Sequence, residues 1–549
     1  MSIVGIDLGT TFSLIARLRD DGEPEVIANA EGSSSTPSAI YFDTASEVVV
    51  GEHAIGALRD APEQVIQHPK RYIGNDDYYF DIHGKQVSPL AASSLILRKL
   101  KQDAEEKIGP ISKAVITVPA YFDEGRRQAT VAAGELAGLD VVDIINEPTA
   151  AALASAFMSS YRSAEDINAA MKALASDDRM IHRVIYDLGG GTFDVTVLKQ
   201  HGARLTVLAT AGDVHLGGID WTMRIADHLA EVYLATHETD PRKDPVSNAR
   251  LLAVAEQMKR ELSNRRNISW EFSFKGNHIE GKMTRDEYES MTSDLLYRTE
   301  NRLSRVLRDA GLEWNAISEA IAVGGSSRMP QVLNLLHRLS SKKPNTSLSP
   351  DQIVAQGAAI HAAMVATGAT DPSKSNATTE FKPSQHGEAD DNGLLSRWSK
   401  SLISLLKSLK ATNVNSHSLG IIASDRSGGK VVSKMIPKNT PLPTATTKSF
   451  GTIVENQKRI TVEIVEGESE DPSHCIAVGV CSVTDLPKQL PKRSPVEVKF
   501  EYDNSGRLHV EVVHIASGTW GRVLIQRSGG VDPERIEINR ELLSRMTVN

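Results

Sequence analysis

The chain has 549 residues and a net charge of −9, from 61 basic and 70 acidic residues. This length corresponds to roughly three to four domains, whose cores are large enough to need no disulfide or metal staples. The acidic balance argues against a surface devoted to nucleic acid or anionic membrane, so no nucleic-acid partner is expected. Apolar residues at 40% and charged residues at 24% exclude global disorder.

The sequence also bears on localisation. Residues 1–4 contain no basic segment, long apolar stretch or small-residue cleavage site, so no secretory signal is predicted. The charge-free stretch 352–370 is rich in Gln, Ala and Gly, which makes it too polar for a stable membrane span. We therefore expect a cytoplasmic protein without a transmembrane segment, and a close-packed internal helix at 352–370.

From residue 3 to about residue 367, short β-like runs alternate with helical stretches, which predicts an α/β domain. Two of the runs end in similar glycine turns. One reads Asp-Leu-Gly-Thr-Thr at 7–11, and the other reads Asp-Leu-Gly-Gly-Gly-Thr at 187–192. Because the two turns lie about 180 residues apart, they favour an internal duplication with two similar lobes.

Such turns have a definite chemistry. A glycine-rich turn lets backbone N–H groups point at one spot without interference from a Cβ, which suits phosphate oxygens, and threonine hydroxyls add donors. Carboxylates beside the turns, such as Asp7, Asp187 and Asp194, suit Mg²⁺ held through water. One turn alone is typical of an ordinary tight turn. Two facing copies would clamp one polyphosphate, so the pair predicts a nucleotide site.

The sequence lacks other nucleotide-binding motifs. G-x-x-x-x-G-K-[ST] does not occur, and neither turn has the G-x-G-x-x-G of a dinucleotide fold. A third glycine turn, at 323–330, could hold a nucleoside between its backbone and the flat side chain of Arg328. Its alternative interpretation is a plain loop before a helix.

The composition changes after residue 371, where Pro, Ser, Lys, Asn and Thr replace large apolar residues. Within this predicted linker, 369–412, apolar residues at helical spacing alternate with basic ones, which predicts a short amphipathic helix at 394–410. From 413 to 528 apolar residues recur at every second position, the pattern of an all-β domain. Residues 1–368 would form the α/β domain, and 529–549 a short C-terminal helix.

Eight ordered segments of the sequence resemble one known family. They are 5–11, 31–38, Lys70-Arg71, 118–122, 146–151, 187–194, 211–218 and 324–330. With these segments the chain resembles the heat-shock-protein-70 chaperones of the DnaK type, closest to their short, lidless HscC-type branch. The resemblance implies an α/β actin-like two-lobed ATPase domain followed by an all-β peptide-binding sandwich, with no helical lid.

The resemblance also implies ATP and Mg²⁺ as ligands. Lys70 would contact the γ-phosphate region, Glu147 and Asp187 would help to orient the attacking water, and Thr192 would also be catalytic. Asp7, Asp187 and Asp194 would hold Mg²⁺ through water. The implied ATP-binding residues are Gly9, Thr10, Thr11, Gly189, Gly190, Gly191, Thr192, Gly217, Gly218, Glu256, Lys259, Arg260, Ser263, Gly324, Gly325, Ser326, Arg328 and Asp351. Without the resemblance, the stretch 256–263 would be interpreted as an exposed, salt-bridged helix face.

For the sandwich, the resemblance implies a channel that binds an extended apolar peptide. The implied positions are Leu419, Ile421, Phe450, Ile453, Ile460 and Val462, for which spacing alone favours plain sandwich core. The family's arch over the peptide uses Met and Ala where this chain has Ser424 and Ile453, and Ile460 replaces Val and would narrow the pocket. Pro119 and Arg127 match the pair that relays nucleotide state to the peptide domain.

Three departures from the family concern coupling and partners. The predicted linker is much longer than the family's, and its amphipathic helix would dock on the protein, stay unstructured, or bind a partner or membrane surface, the first two being favoured. Asp143 occupies a basic position that meets J-domain co-chaperones, so a usual J-domain should bind weakly. No nucleotide exchange factor is indicated. The stretch 155–183 is longer than the family's connection and is expected to be an inserted helix.

The sequence thus predicts a chaperone that hydrolyses ATP slowly and binds exposed apolar segments of unfolded proteins. Peptide exchange should be fast even with ADP, because no lid closes over the channel. One alternative is an ATP-switched adaptor for a dedicated partner, which the altered arch and linker favour. Another, an actin-like sugar kinase, would share the turns but would have no use for the sandwich or for residues 146–151.

Overall fold

The computed structural model describes residues 2–44, 46–162, 169, 178–368, 396–425, 428–502, 508–525 and 533–549. Residues 163–168 and 170–177 of the predicted insertion, and 369–395 of the predicted linker, lie outside them. Within the described insertion, 155–162 is the end of a helix and 180–183 is the start of a strand, so the expectation of an inserted helix is wrong for 180–183. Among the helices in these ranges, none is both long and apolar enough to cross a bilayer.

The first lobe holds the following elements. They are β1 (Ser2–Asp7), β2 (Phe12–Leu18), β3 (Pro24–Ile27), β4 (Thr36–Pro37), β5 (Ala39–Phe42), β6 (Glu47–Val50), α1 (Glu52–Ala57), β7 (Val65–Gln67), β8 (Phe80–Ile82), β9 (Lys85–Val87), α2 (Pro89–Ile108), β10 (Ile111–Val118), α3 (Glu124–Leu136), β11 (Asp140–Asn146) and α4 (Glu147–Arg162).

The second lobe follows, together with one helix that returns to the first. Its elements are β12 (Met180–Leu188), β13 (Phe193–His201), β14 (Arg204–Asp213), α5 (Gly218–His237), α6 (Pro245–Asn264), β15 (Asn267–Phe274), β16 (Asn277–Thr284), α7 (Arg285–Met291), α8 (Ser293–Asp309), β17 (Glu319–Val323), α9 (Pro330–Ser340) and α10 (Ile353–Ala366).

The two lobes repeat one topology. In the first, β1 pairs parallel with β10 and antiparallel with β2, which pairs antiparallel with β3. In the second, β12 pairs parallel with β17 and antiparallel with β13, which pairs antiparallel with β14. The turn from β1 to β2 and the turn from β12 to β13 are therefore equivalent positions. The duplication predicted from the two glycine turns is visible in the strand order.

Helices α4 and α10 lie between the two sheets, in a core to which both sheets contribute. Their close approach depends on glycine. A Cβ added to Gly5 of β1 would lie 2.1 Å from the backbone nitrogen of Ala359 in α10, and one added to Gly357 would lie 1.9 Å from the backbone oxygen of Ala150 in α4. Helix α10 is buried along nearly its whole length, as expected for the stretch 352–370.

The next elements are α11 (Lys400–Ser408) and β18 (Lys410–Thr412). The apolar face of α11 is buried in the core between the lobes, and β18 adds in parallel to β14 at the edge of the second sheet. The predicted helix 394–410 therefore ends earlier, at Ser408, because Lys410 joins a sheet; its residues 394–395 lie outside the described ranges. Residues 398–412, predicted as linker, pack onto the ATPase lobes, so of the outcomes left open for this helix the structure shows docking.

The remaining strands form the sandwich and the end of the chain. They are β19 (Leu419–Ser424), β20 (Lys430–Ile436), β21 (Thr444–Gly451), β22 (Ile460–Glu466), β23 (Ile476–Val483), β24 (Pro495–Tyr502), β25 (Leu508–His514) and β26 (Trp520–Ile525), followed by α12 (Pro533–Ser544) and β27 (Thr547–Val548). Two four-stranded sheets, β20-β19-β22-β23 and β21-β24-β25-β26, enclose one apolar core. The all-β domain is as predicted, whereas β27, which pairs with β6 of the first lobe, was not predicted.

Candidate functional site: a nucleotide cleft between the lobes

The two glycine turns meet at the bottom of the cleft between the lobes. A Cβ added to Gly190 would lie 1.8 Å from Thr11 Oγ1, and one added to Gly191 would lie 2.4 Å from Thr10 Cγ2. The turns thus face each other at the distance of direct contact, as the sequence predicted for a polyphosphate clamp. Thr11 Oγ1 is buried without a hydrogen-bond partner among the described residues, so this hydroxyl is available to a phosphate oxygen.

The N-terminus of α5 lies against the second turn. Gly218 N donates to Gly189 O at 3.0 Å and Ile219 N donates to Gly190 O at 2.8 Å. Gly217 precedes the helix, and a Cβ there would lie 2.5 Å from the backbone of Gly190. The positive end of the α5 dipole therefore lies beside the predicted phosphate position, where it favours an anion.

Four carboxylates and one ammonium group converge beside the turns. Asp7 ends β1, Glu147 begins α4, and Asp187 and Asp194 lie on β12 and β13. Lys70, in a short 3-10 helix, donates to Glu147 Oε1 at 2.5 Å and is only 3% exposed. The structure thus brings together the three residues predicted for Mg²⁺ and, of the four predicted for catalysis, Lys70, Glu147 and Asp187.

The three aspartates of this cluster are hard to ionise. Burial, followed by the negative charge of Glu147, raises the pKa of Asp7 to about 7 and that of Asp194 to about 8. Burial is also the main cause that raises the pKa of Asp187 well above its ordinary value, with Glu147, Asp194 and Asp7 adding to it. A cation bound beside these carboxyl groups would favour their ionised forms.

These residues fit a magnesium ion held through water. In the part of the chain that the structure describes, no three His, Cys, Asp or Glu side chains are placed to bind one metal ion directly. Water-mediated contacts to carboxylates, with phosphate oxygens as the direct ligands, are the usual mode for nucleotide magnesium. The buried carboxylates and the unpartnered Thr11 hydroxyl together match that mode.

The residues predicted to hold adenosine line the second lobe's side of the cleft. Lys259 of α6 is buried, lies 2.6 Å from a Glu256 oxygen and donates to Gly218 O at 3.0 Å. Arg260 is exposed and also pairs with Glu256, at 2.9 Å. The Ser263 hydroxyl donates to Lys259 O of its own helix. The helix face predicted from the spacing thus exists, and Lys259 connects it to the α5 N-terminus.

The third glycine turn closes the same side. Gly324 has a φ of +79°, which glycine adopts without strain, and a Cβ there would lie 2.4 Å from Leu188 O in the second turn. A Cβ on Gly218 would lie 2.1 Å from Ser326 Oγ. Arg328 forms an ion pair with Asp351. All three glycine turns and Asp351 therefore surround one cleft.

Comparison with known proteins agrees with this geometry. A family model described as Hsp70 protein matches residues 3–374 and 404–546. The chaperone protein DnaK of Halobacterium salinarum is 36% identical over 546 residues, covering 98% of this chain and 77% of that protein. DnaK of Thermotoga petrophila is 36% identical over 525 residues, covering 94% of this chain and 79% of that protein.

The chain belongs to the Hsp70 family. It is therefore an Hsp70-type chaperone and an ATPase, and the fold predicted from the resemblance, two lobes followed by a β-sandwich, is confirmed. The narrower likeness to the HscC-type branch stays a prediction, as do the individual site residues and the domain boundaries.

In this Hsp70, Arg127 ties the relay segment to the acidic cluster. Its guanidinium donates to Asn146 Oδ1 at 2.6 Å, next to Glu147, and to the carbonyl of Phe122 at 3.2 Å. Pro119 O accepts from the backbone N–H of Phe122 at 3.1 Å. Pro119 thus lies in the loop after β10 and Arg127 in the first turn of α3, and the Arg127 guanidinium connects that loop to the end of β11.

Sequence reasoning missed four polar contacts of the cleft. Tyr121 N donates to Asp194 Oδ1 at 3.1 Å, and Thr117 Oγ1 donates to Asp7 Oδ1 at 2.9 Å. The side chain of His68 bonds to Thr10 O, and Arg71 of the first lobe pairs with Asp220 of the second, both at the distances of good hydrogen bonds. The one signal in the sequence that could have indicated the contacts of His68 and Arg71 is their position, because both residues lie close to Lys70.

The predicted peptide-binding residues of this Hsp70 fall into two groups. Leu419, Ile421, Ile460 and Val462 are buried in the sandwich core, and Phe450 is half-buried against it. Ile453, by contrast, is 57% exposed, on the stretch after β21, and Ser424 at the end of β19 is also exposed. The structure therefore separates a core group from an exposed pair at the positions of the family's arch.

Proposed function

We propose that this Hsp70 hydrolyses ATP slowly in the cleft between its lobes and uses the nucleotide state to control binding of exposed apolar segments in its sandwich. The observation that supports this most directly is the position of β18. This strand adds to the edge of the second sheet, the sheet that also ends in the Gly189–Thr192 turn, and it leads into the sandwich. A movement of the second sheet is thereby connected to the sandwich through backbone hydrogen bonds.

The proposed chemistry follows from the charges of the cluster. The two turns at 7–11 and 187–192 and the α5 N-terminus would hold the polyphosphate, the third turn would hold the nucleoside, and Mg²⁺ held by Asp7, Asp187 and Asp194 would neutralise phosphate charge when bound. Glu147 and Asp187 would orient a water for in-line attack. Lys70 would stabilise the charge that develops on the γ-phosphoryl oxygens, because its ammonium is already fixed and dehydrated.

The proposed partners are unfolded polypeptides and a J-domain co-chaperone. Asp143, where the family surface is basic, lies 2.8 Å from His361 Nε2 of α10, and both side chains are largely buried. A basic side chain is therefore replaced by an acidic one that is hydrogen-bonded to a histidine, so the expected J-domain contact would differ in charge. The cytoplasmic location expected from the N-terminal sequence stays a prediction.

The coupling is tested by the dissociation rate of a fluorescent, extended Leu-rich peptide with and without ATP. We expect ATP to accelerate release at least tenfold, and Thr192→Ala to remove most of this acceleration because the phosphate turn loses a donor. Thr236→Ala, an exposed helical threonine, is the matched control and should behave like the wild type. Peptide release that ignores ATP while hydrolysis continues would contradict the coupling.

A second candidate function is an ATP-switched adaptor that binds one dedicated partner. The exposure of Ile453 and Ser424 favours it, since these positions do not reproduce the family's arch of Met and Ala. Binding to many unrelated apolar sequences on a peptide array would count against the adaptor. Binding to almost none of them, with intact ATP hydrolysis, would support it.

The raised pKa values of the cluster predict a pH-dependent affinity for Mg²⁺-ADP. Asp194, with a pKa of about 8, is largely protonated at pH 7 in the nucleotide-free protein, and the cation favours its ionised form. The affinity should therefore rise from pH 7 to pH 9, by up to about tenfold, with release of protons on binding. Calorimetric titrations in buffers of different ionisation enthalpy measure both quantities, and an affinity that is flat over this range would contradict the assignment.

The same pKa values determine whether the free energy of unfolding rises or falls with pH. Because the folded, nucleotide-free protein holds protons on Asp7 and Asp194 that the unfolded chain releases near pH 4, its free energy of unfolding should fall as pH rises from about 4 to about 8. Asp194→Asn should reduce both this fall and the number of protons released on Mg²⁺-ADP binding.

A further inference from the structure

We call the segment 533–549 the tail. It packs on the first ATPase lobe. Leu543, Met546 and Val548 are 1%, 7% and 8% exposed, and they belong to the apolar core that β5, β6 and α2 build. Ile538, on the same helix, is 60% exposed. The tail thus has one apolar face, and that face is inserted into the core of the first lobe.

Strand β27 extends a sheet of the first lobe. It pairs in parallel with β6, so the sheet reads β27-β6-β5-β7. Thr547 N donates to Ser46 O and Asn549 N donates to Val48 O, each at 2.9 Å. These bonds cover the backbone of β6, which would otherwise be an open sheet edge.

Side chains of the first lobe also bind the tail. Arg98 of α2 donates to the carbonyls of Leu543 at 3.1 Å and Met546 at 3.4 Å, which caps the C-terminus of α12. Ser88 Oγ donates to Asn539 Oδ1 at 2.7 Å. None of the polar side-chain atoms described in the tail is buried without a partner.

The contacts between the sandwich and the second lobe are of a different kind. They include a hydrogen bond from Thr210 N to Asn439 Oδ1 at 3.2 Å. Next to them, Lys438 Nζ is buried with no hydrogen-bond partner in the described chain. Its ammonium forms a long ion pair with Asp309, at 3.9 Å, and lies 5.3 Å from the centroid of the Tyr121 ring.

A buried ammonium without hydrogen bonds opposes the docking of the sandwich on the second lobe. Burial lowers the pKa of Lys438, which expresses the cost of keeping its charge at this position. Strand β18 adds only three residues to the sheet, and none of them is fully buried. This side of the interface therefore opens at lower cost than the tail contact, which is apolar and fully bonded.

We propose that the tail is a permanent anchor, which stays on the first lobe when β18 and the sandwich leave the second lobe. The proposal rests on the proposed function only for the step in which nucleotide releases β18. Residues 525 and 533 are eight Cα steps apart, which span at most about 28 Å. An anchored tail therefore keeps the end of β26 within that distance of the first lobe. The sandwich then docks again within the same molecule, at a high effective concentration.

Amide hydrogen exchange of the full chain tests the anchor without relying on nucleotide. Lys410→Pro removes the hydrogen bond from Lys410 N to Ala203 O, and Leu409 already has the extended backbone that a following proline requires. We expect exchange in 409–414 to accelerate at least tenfold in this variant. Exchange in 545–549 should stay within about twofold of the wild type.

Variants of the tail complete the design. Leu543→Asp should accelerate exchange in 545–549 and in 46–50 at least a hundredfold, whereas Ile538→Asp, on the exposed side of the same helix, should not. If Lys410→Pro fails to fold, the wild type with ADP and with ATP provides the second measurement. Loss of protection in 545–549 together with 409–414, in either experiment, overturns the anchor. Equal protection of 409–414 with ADP and with ATP would instead count against the proposed coupling, while Lys410→Pro still decides on the anchor.

Discussion

Replacing Lys70 by methionine should slow single-turnover ATP hydrolysis by about 10²- to 10³-fold while ATP binding stays within about tenfold of the wild type. Among the residues that the structure describes, Lys70 is the one ammonium that hydrogen-bonds to the acidic cluster, through Glu147 at 2.5 Å. Without it, four buried carboxylates face the phosphates with no fixed positive charge between them. The transition state, which places more charge on the γ-oxygens than the ground state does, loses more than the bound substrate.

Lys99 offers the matched control for this substitution. It is also a buried lysine, paired at 3.0 Å with Asp103 on α2, so Lys99→Met removes a comparable ion pair from the first lobe without altering the cleft. We expect Lys99→Met to lower the melting temperature but to leave the hydrolysis rate within about threefold of the wild type. Equal rates in Lys70→Met and wild type, with intact ATP binding, would contradict the role assigned to Lys70.

Much of the fold could be predicted because the informative signals are local. The glycine turns at 7–11 and 187–192 have similar compositions, and the structure places them at equivalent positions of two sheets with the same strand order. The stretch 353–366 is apolar on all sides, which distinguishes a helix packed between two layers from a surface helix. Patterns of this kind belong to single elements and need no knowledge of what packs against them.

The two strands that connect the domains could not be predicted in the same way. β18 has three residues and β27 has two, which is too short for an alternating pattern to appear. Each forms because it pairs with the edge strand of a sheet in an ATPase lobe, and that edge strand is far away in the sequence. The predicted helix 394–410 extended too far for this reason, since the residues of β18 look like a continuation of the amphipathic pattern.

The site shows the same limit at the level of residues. Asp7, Asp187 and Asp194 could be named because they flank recognisable turns. Their raised pKa values could not be predicted, since these arise from burial and from the proximity of the carboxylates to one another. Arg71 links the lobes through an ion pair with Asp220. In the sequence it looks like an ordinary surface arginine, and only the folded structure shows that the two side chains meet across the cleft.

Replacing Gly217 by alanine should weaken ATP binding at least a hundredfold. The added Cβ would lie 2.5 Å from the backbone carbon and oxygen of Gly190, which cannot rotate away as a side chain would. The α5 N-terminus and the second turn must therefore separate by roughly 1 Å, and misplacement of this size costs on the order of 10²-fold in a site of fixed geometry. The backbone of Gly217 is extended, so alanine is not strained there by its own φ.

Gly56→Ala is the control, because a Cβ on Gly56 in α1 would meet no atom within 4 Å. It should leave both ATP affinity and hydrolysis unchanged. Equilibrium titration with a fluorescent ATP analogue, alongside thermal unfolding, separates lost binding from lost folding. Wild-type affinity in Gly217→Ala would contradict the placement of the phosphates between the two turns. Together with Lys70→Met, this variant distinguishes the two tasks of the cleft, since moving the turn should weaken binding, whereas removing the ammonium should slow mainly the chemical step.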